Sequence, residues 1–141
     1  MGSILAVDYG MKRIGLAISD PDRVFAFPCE VIENKNFDYI LSQINNFILE
    51  REVDLILIGM PYSMNKKKSD EKKNEMEVNV EKFINKLQKT LTIEIKIVDE
   101  RLSSFAAEEK LKEAGVSAKK SKKYIDSEAA RLLLEEFIQS L

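Results

Sequence analysis

Residues 4–7 form an unbroken apolar run, Ile4-Leu5-Ala6-Val7, that ends on Asp8. After the turn-forming Tyr9-Gly10-Met11-Lys12, residues 13–19 alternate, with Ile14, Leu16 and Ile18 on one side. That period of two predicts a strand. Asp20-Pro21-Asp22 is a second turn, and residues 24–32 read as a third strand. Connections this short predict an antiparallel meander.

The period then changes. Phe37, Ile40, Leu41, Ile44, Phe47 and Ile48 follow helical spacing, with Asn36 placed as the N-cap. Residues 55–58 are continuously apolar, as in a strand covered on both faces, and Gly59-Met60-Pro61 closes that strand. Residues 62–73 are polar and lysine-rich and read as a loop. Met76, Val80, Phe83, Ile84, Leu87 and Leu91 mark a second amphipathic helix. Residues 93–98 predict a fifth strand running into Asp99-Glu100-Arg101. Ser103 or Ser104 suits the cap of a helix over residues 105–114, stopped by Gly115. A basic loop then leads to a last helix from near Asp126 to the end. The order βββ-α-β-α-β-α-α predicts one α/β domain over residues 1–141, with a mixed sheet and helices on its faces. Strands one, four and five would run parallel and share one carboxyl edge, where open α/β sheets place ligands.

The chain has 141 residues, enough for one domain that buries roughly two-thirds of its unfolded surface. It contains no His and no Trp, which excludes Ser-His-Asp and Cys-His catalysis and His-ligated zinc. The single cysteine, Cys29, excludes an internal disulfide and predicts a reducing, cytoplasmic setting. With Phe25 and Phe27 nearby, it reads as core filling. No apolar run approaches the ~20 residues of a membrane span, and the first residues lack the basic and apolar regions of a signal peptide. The net charge of −2 exerts no global pull on nucleic acid. Lysines crowd locally, however, at Lys66, Lys67, Lys68, Lys72 and Lys73, and again at Lys119, Lys120, Lys122 and Lys123. Such runs are commonly solvated loops; here they also suit phosphate contact.

The predicted carboxyl edge collects acids. Asp8 ends a buried strand, where a carboxylate loses hydration and needs donors or a cation. It reads equally as a cap of the following turn. Of Asp99 and Glu100, alternation allows only one to join Asp8, and Glu100 is preferred; a surface ion pair with Arg101 is the plainer role for either. Asp126 shares a helical stripe with Ala130, Leu133, Leu134, Phe137 and Leu141, and so points inward, unless it is the helix N-cap. Three acids without His suit a hard divalent ion such as Mg²⁺ with oxygen ligands. Two such ions can activate water and stabilise a leaving oxygen in phosphodiester hydrolysis. Lys12 and Arg13 suit phosphate contact or plain surface exposure in equal measure, and Tyr62 and Tyr124 suit base stacking or core packing.

In these segments the chain resembles the YqgF family, described as pre-16S rRNA nucleases and as Holliday junction resolvase-like proteins of the RNase H superfamily. The resemblance lies in Leu5-Ala6-Val7-Asp8-Tyr9-Gly10-Met11-Lys12-Arg13-Ile14-Gly15-Leu16-Ala17, Ile58-Gly59-Met60-Pro61, Val98-Asp99-Glu100-Arg101-Leu102-Ser103-Ser104 and Ile125-Asp126-Ser127-Glu128-Ala129-Ala130, in family order. It implies an RNase H-like mixed five-stranded sheet of order 3-2-1-4-5 with strand 2 antiparallel. It also implies catalytic metal-binding acids at Asp8, Glu100 and Asp126, and trimming of the 5′ end of precursor rRNA in the cytoplasm. Where the better-known junction resolvases carry an acid at the end of strand four, this chain has Gly59, and Ser103-Ser104 stands where threonines are expected.

The leading expectation is a Mg²⁺- or Mn²⁺-dependent nuclease on structured RNA. Lys12, Arg13, Lys66, Lys67, Lys68, Arg101, Lys122 and Lys123 would contact the nucleic acid. A resolvase of four-way DNA would use the same acids but needs a two-fold dimer. No sequence feature specifies an interface, so a monomer or weak homodimer is expected. An actin-like or sugar-kinase ATPase needs a second lobe that a chain of 141 residues without repeats does not supply. A non-catalytic RNA-binding assembly factor would need the lysines and not the acids.

Overall fold

A computed structural model describes residues 2–61, 74–99 and 118–141, with side chains in the last segment from Glu128 onward. The elements are β1 (Ile4–Asp8), β2 (Arg13–Ser19), β3 (Ala26–Pro28), β4 (Ile32–Glu33), α1 (Phe37–Arg51), β5 (Leu55–Met60), α2 (Glu75–Thr90), β6 (Glu94–Asp99) and α3 (Ala118–Gln139). The sheet has the order β3-β2-β1-β5-β6, and β4 also pairs with β2. β2 is antiparallel to β1, whereas β1, β5 and β6 are parallel. With β3 and β4 counted as one interrupted strand, this is the expected 3-2-1-4-5 sheet with helices on both faces.

Helix ends follow local chemistry. The Asn36 side chain accepts a hydrogen bond of 2.8 Å from the Tyr39 amide and caps α1. That helix ends on Glu52 in the left-handed region, at φ 52°. Asn74 Oδ1 accepts from the Glu77 backbone amide at 2.7 Å, while Asn74 Nδ2 donates to Glu77 Oε1 at 2.9 Å and to the Pro61 carbonyl at 3.2 Å. This side-chain N-cap gives the buried Glu77 carboxylate a donor at the start of α2 and ties the helix to the exit of β5.

The strand period divides the core in two. Leu5, Val7, Ile14, Leu16, Ile18, Ile56 and Ile58 face α1 and α2 and meet Ile40, Ile44, Val80, Phe83, Ile84 and Leu87. Ile4, Ala6, Ala17, Leu55 and Leu57 face α3 and meet Ala130, Leu133 and Leu134. β5 is buried along its whole length, as its continuous apolar run requires, and continues through Met60 before Pro61 ends it.

The third strand departs from expectation. Residues 24–32 are not one strand. Ala17 pairs with Pro28 but Ile14 pairs with Ile32. Residues 29–31 therefore oppose only Gly15 and Leu16, a bulge with one extra residue on the edge strand. Pro28 has no N–H to continue a ladder, and the Cys29 amide donates to the Leu16 carbonyl at 2.8 Å instead. Cys29 does pack against the core, half-buried, as expected. Its neighbours Phe25 and Phe27 are 63% and 48% exposed, because the alternation that sends Ala26 toward α3 turns them away from it.

The last helix also begins early. It starts at Ala118, eight residues ahead of Asp126, so Lys119–Lys123 is helical backbone and not a loop. Ala and Lys favour helix, and no Gly or Pro interrupts the stretch. The predicted helix over residues 105–114 and the lysine-rich stretch 62–73 lie outside the described residues.

Two measurements test this packing. Leu134→Ala, at a fully buried site between α3 and the sheet, is expected to lower unfolding free energy by about 3 kcal/mol in urea denaturation. Burial pushes the Cys29 thiol above its ordinary pKa, against a smaller opposing pull from Arg51. At pH 8 the native protein is therefore expected to react with a disulfide reagent more slowly than the urea-unfolded chain, the difference persisting until pH passes the raised native value.

Candidate functional site

β1 carries four fully buried apolar residues and then a carboxylate. Asp8 is half-buried at the carboxyl end of this central strand, in register with Gly15 on β2. Ile4 and Ala6 face α3, so Asp8, two residues beyond Ala6, continues that face. On β2 the same face carries Ala17, Gly15 and then Arg13, half-buried at the strand start. The structure thus sets Asp8 and Arg13 on one face at one edge. Lys12 is exposed in the turn between them.

That turn is held closely. The Gly10 carbonyl accepts from Asn34 Nδ2 at 2.9 Å, and the Asn34 amide donates to the Lys12 carbonyl at 2.9 Å. A Cβ on Gly10 would lie 2.3 Å from the Arg13 carbonyl oxygen, so only glycine lets the chain fold back here. Tyr9 leaves on the opposite face from Asp8 and packs against Phe83, with ring centroids 4.8 Å apart.

On β5 the residue that follows Ile58, the register partner of Val7, is Gly59, so strand four brings no side chain to the level of Asp8. Gly59 is in register with Val98 on β6, and Val98 packs in the α3 core. Met60 is in register with Asp99, and Met60 belongs to the α1/α2 core. Asp99 therefore sits on the face opposite Asp8. Glu100 and Arg101 lie outside the described residues, as do Lys66, Lys67, Lys68 and Tyr62.

α3 packs on β1, β2, β3 and β5, on the Asp8 face. Asp126 lies in this helix, one turn before Ala130, which is buried against the sheet. Its interior position removes the N-cap role left open by the sequence. Its side chain, with those of Lys122, Lys123 and Tyr124, lies outside the described residues. Among the described residues no group of three His, Cys, Asp or Glu side chains could hold a metal ion. The donor chemistry of Asp8, a hard carboxylate in a chain with no His and one Cys, fits a hard divalent cation with oxygen ligands.

Sequence reading missed the second-layer residues. Asn74 three positions before Glu77 is a legible helix-start signal. Asn34, which clamps the turn after Asp8 from 24 positions away, carries no local signal.

A strand-end carboxylate on a 3-2-1-4-5 sheet with a helix across its face defines the RNase H-like class. Solved structures agree. The fold is similar to that in "T. thermophilus RuvC in complex with Holliday junction substrate", with a TM-score of 0.59 at 12% identity, covering 99% of this chain and 96% of that one. It is also similar to the fowlpox virus Holliday junction resolvase, with a TM-score of 0.53 at 15% identity, covering 99% of both chains.

Within that class the chain belongs to the family described as "RuvX: Holliday junction resolvase", which it matches over residues 2–140. A relative from Maridesulfovibrio salexigens, named "Putative pre-16S rRNA nuclease", is 42% identical and the match covers 96% of each chain. One from Halothermothrix orenii with the same name is 40% identical, over 96% of this chain and 93% of the relative. The family is one of nucleases. No helix among the described residues is long and apolar enough to cross a membrane.

Gly10→Ala is expected to lower the melting temperature by roughly 3 °C or more, because the added methyl meets backbone and not a movable side chain. A melt unchanged from the parent would show that the turn is looser than described.

Proposed function

We propose that this protein is a divalent-metal-dependent nuclease that hydrolyses phosphodiester bonds in structured RNA, processing the 5′ end of pre-16S rRNA in the cytoplasm as a single domain over residues 1–141. The observation that carries the reading is the pairing of a carboxylate, Asp8, at the end of a buried central strand with a helix on its own face that carries Asp126 in its interior. The names of relatives at 42% and 40% identity point to the same substrate.

Asp8, Glu100 and Asp126 are the proposed catalytic acids and metal ligands. Glu100 is preferred over Asp99 because Asp99 is on the far face, whereas Val98, two residues before Glu100, shares the face of Asp8. Mg²⁺ or Mn²⁺ held there would polarise the scissile phosphate and lower the pKa of the attacking water. Water oxygen bonds to phosphorus, the P–O3′ bond breaks, and O3′ takes a proton, leaving 5′-phosphate and 3′-hydroxyl ends. Arg13 and Lys12, next to Asp8, would offset the charge of the flanking phosphates. Lys66, Lys67, Lys68, Arg101, Lys122 and Lys123 are proposed as further phosphate contacts, which makes affinity salt-dependent.

A second reading, resolution of four-way DNA, is favoured by the family description and by the resolvases that share the fold. It would require two copies acting together, and the protein is read here as a monomer or weak homodimer.

The test is incubation with labelled precursor rRNA and with a four-way DNA junction, each with Mg²⁺, Mn²⁺ or EDTA. Cleavage of the RNA with metal and none in EDTA is expected. Asp8→Asn is expected to slow it by roughly 100-fold or more while RNA binding persists. Cutting of the junction alone would replace the RNA reading with the second one.

A further inference from the structure

On the sheet face away from Asp8, a cleft of about 190 Å³ opens between α1, α2 and the Tyr9–Lys12 turn. Its floor is aromatic. Phe83 is buried, and Tyr9 and Phe37 are half-exposed over it, with ring centroids 4.8 Å and 6.2 Å from that of Phe83. Its rim is cationic. Lys82 and Lys86, one helical turn apart on α2, are both exposed, and Lys86 Nζ stands 5.5 Å from the Phe37 ring centroid. Among the described residues no carboxylate lines the cleft or pairs with either ammonium. Asn34 and Asn79 add amide groups at the mouth.

The chemistry selects the ligand. Exposed ring faces on Tyr9 and Phe37, inclined 38° and 70° to Phe83, with two cations four residues apart and two side-chain amides, match one nucleotide unit. The base would lie on the rings, its polar edge would meet the amides, and its phosphate would meet the lysines. Asn34 Nδ2 and Asn79 Nδ2 already donate to the Gly10 carbonyl and to Met11 Sδ, which leaves their side-chain oxygens to meet a base; a purely apolar ligand would leave the lysines without a role, and a bare phosphate would leave the rings without one.

Position favours a nucleotide within a strand. Tyr9 is adjacent to Asp8 in the chain but on the other face, so the cleft and the acid edge meet across a single turn. We propose that this cleft takes one unpaired nucleotide of the RNA, with its base on Tyr9 and Phe37 and its phosphate on Lys82 and Lys86. The cleft therefore selects substrates with a single-stranded segment beside the cut. That last clause rests on the nuclease reading; the binding site does not.

Binding is measured in EDTA, where no cleavage occurs, by fluorescence anisotropy of the full chain with a single-stranded RNA oligonucleotide and with a blunt RNA duplex. Free AMP serves as competitor. Lys82→Gln/Lys86→Gln, a change at exposed positions, is expected to weaken the single strand by roughly tenfold and the duplex much less. Phe37→Leu keeps the packing but removes the ring, and is expected to act in the same direction. A 4-thiouridine strand is expected to crosslink to the peptide carrying Phe37 or Tyr9. Competition by AMP at millimolar levels would assign the site to free nucleotides as well as to strands; its absence would restrict it to strands. Equal binding by parent and both variants, or equal losses for strand and duplex, would overturn the proposal. If the parent binds the single strand in this way but cuts no RNA, the nuclease reading fails and the cleft stands. If Asp8→Asn loses cleavage while the lysine variant binds as the parent does, the reverse holds.

Discussion

A strand buried on both faces has only its ends at which to carry charge, and β1 is such a strand. Its four apolar residues are enclosed between an α1/α2 core and an α3 core, where a carboxylate would be left without hydration or partners. Asp8 appears at the first position where the strand reaches the sheet edge. Everything proposed for the chemistry depends on this arrangement, because the same packing that excludes the acid from the interior also fixes its backbone. The turn behind it is held by Asn34 and admits no side chain at Gly10, so Asp8 sits on a rigid element with a rigid exit.

The two faces of the sheet present different chemistry. One face presents Asp8 and Arg13 beneath α3, the helix that also contains Asp126. The other presents Tyr9, Phe37 and Phe83 with two lysines from α2. A single reversal of strand alternation, from residue 8 to residue 9, separates them. A nucleic-acid strand crossing the carboxyl edge at this turn would meet acids on one side and rings with cations on the other. The Asn74 side chain adds a third fixed point at the same edge by joining Glu77 on α2 to the Pro61 carbonyl at the end of β5.

Much of this was legible in residue order. The alternation of 13–19, the apolar run of 55–58 and the helical spacing after Asn36 each recovered an element, because each reflects a local period that the backbone imposes on any chain. The third strand failed because a bulge is a matter of pairing: residues 24–32 look continuous until their partner on β2 is known. The exposure of Phe25 and Phe27 has a related cause, since aromatic identity favours burial but only the edge position decides it. Asp126 was ambiguous between cap and interior because the start of its helix depends on a lysine-rich stretch whose composition suits loop and helix alike.

Sequence by itself excluded imidazole and disulfide chemistry, through the lack of His and the lone Cys29, and determined the order of strands and helices, through local periods. Only tertiary structure decided the faces. Asp8 and Asp99 are indistinguishable as strand-end acids in the sequence, yet parallel register places them on opposite sides of the sheet. Lys82 and Phe37 are 45 positions apart in the chain and border one cleft only because α1 and α2 pack side by side. Short-range sterics write the first kind of information into neighbouring residues; the second kind exists only once the hydrogen-bond register between distant strands has been set.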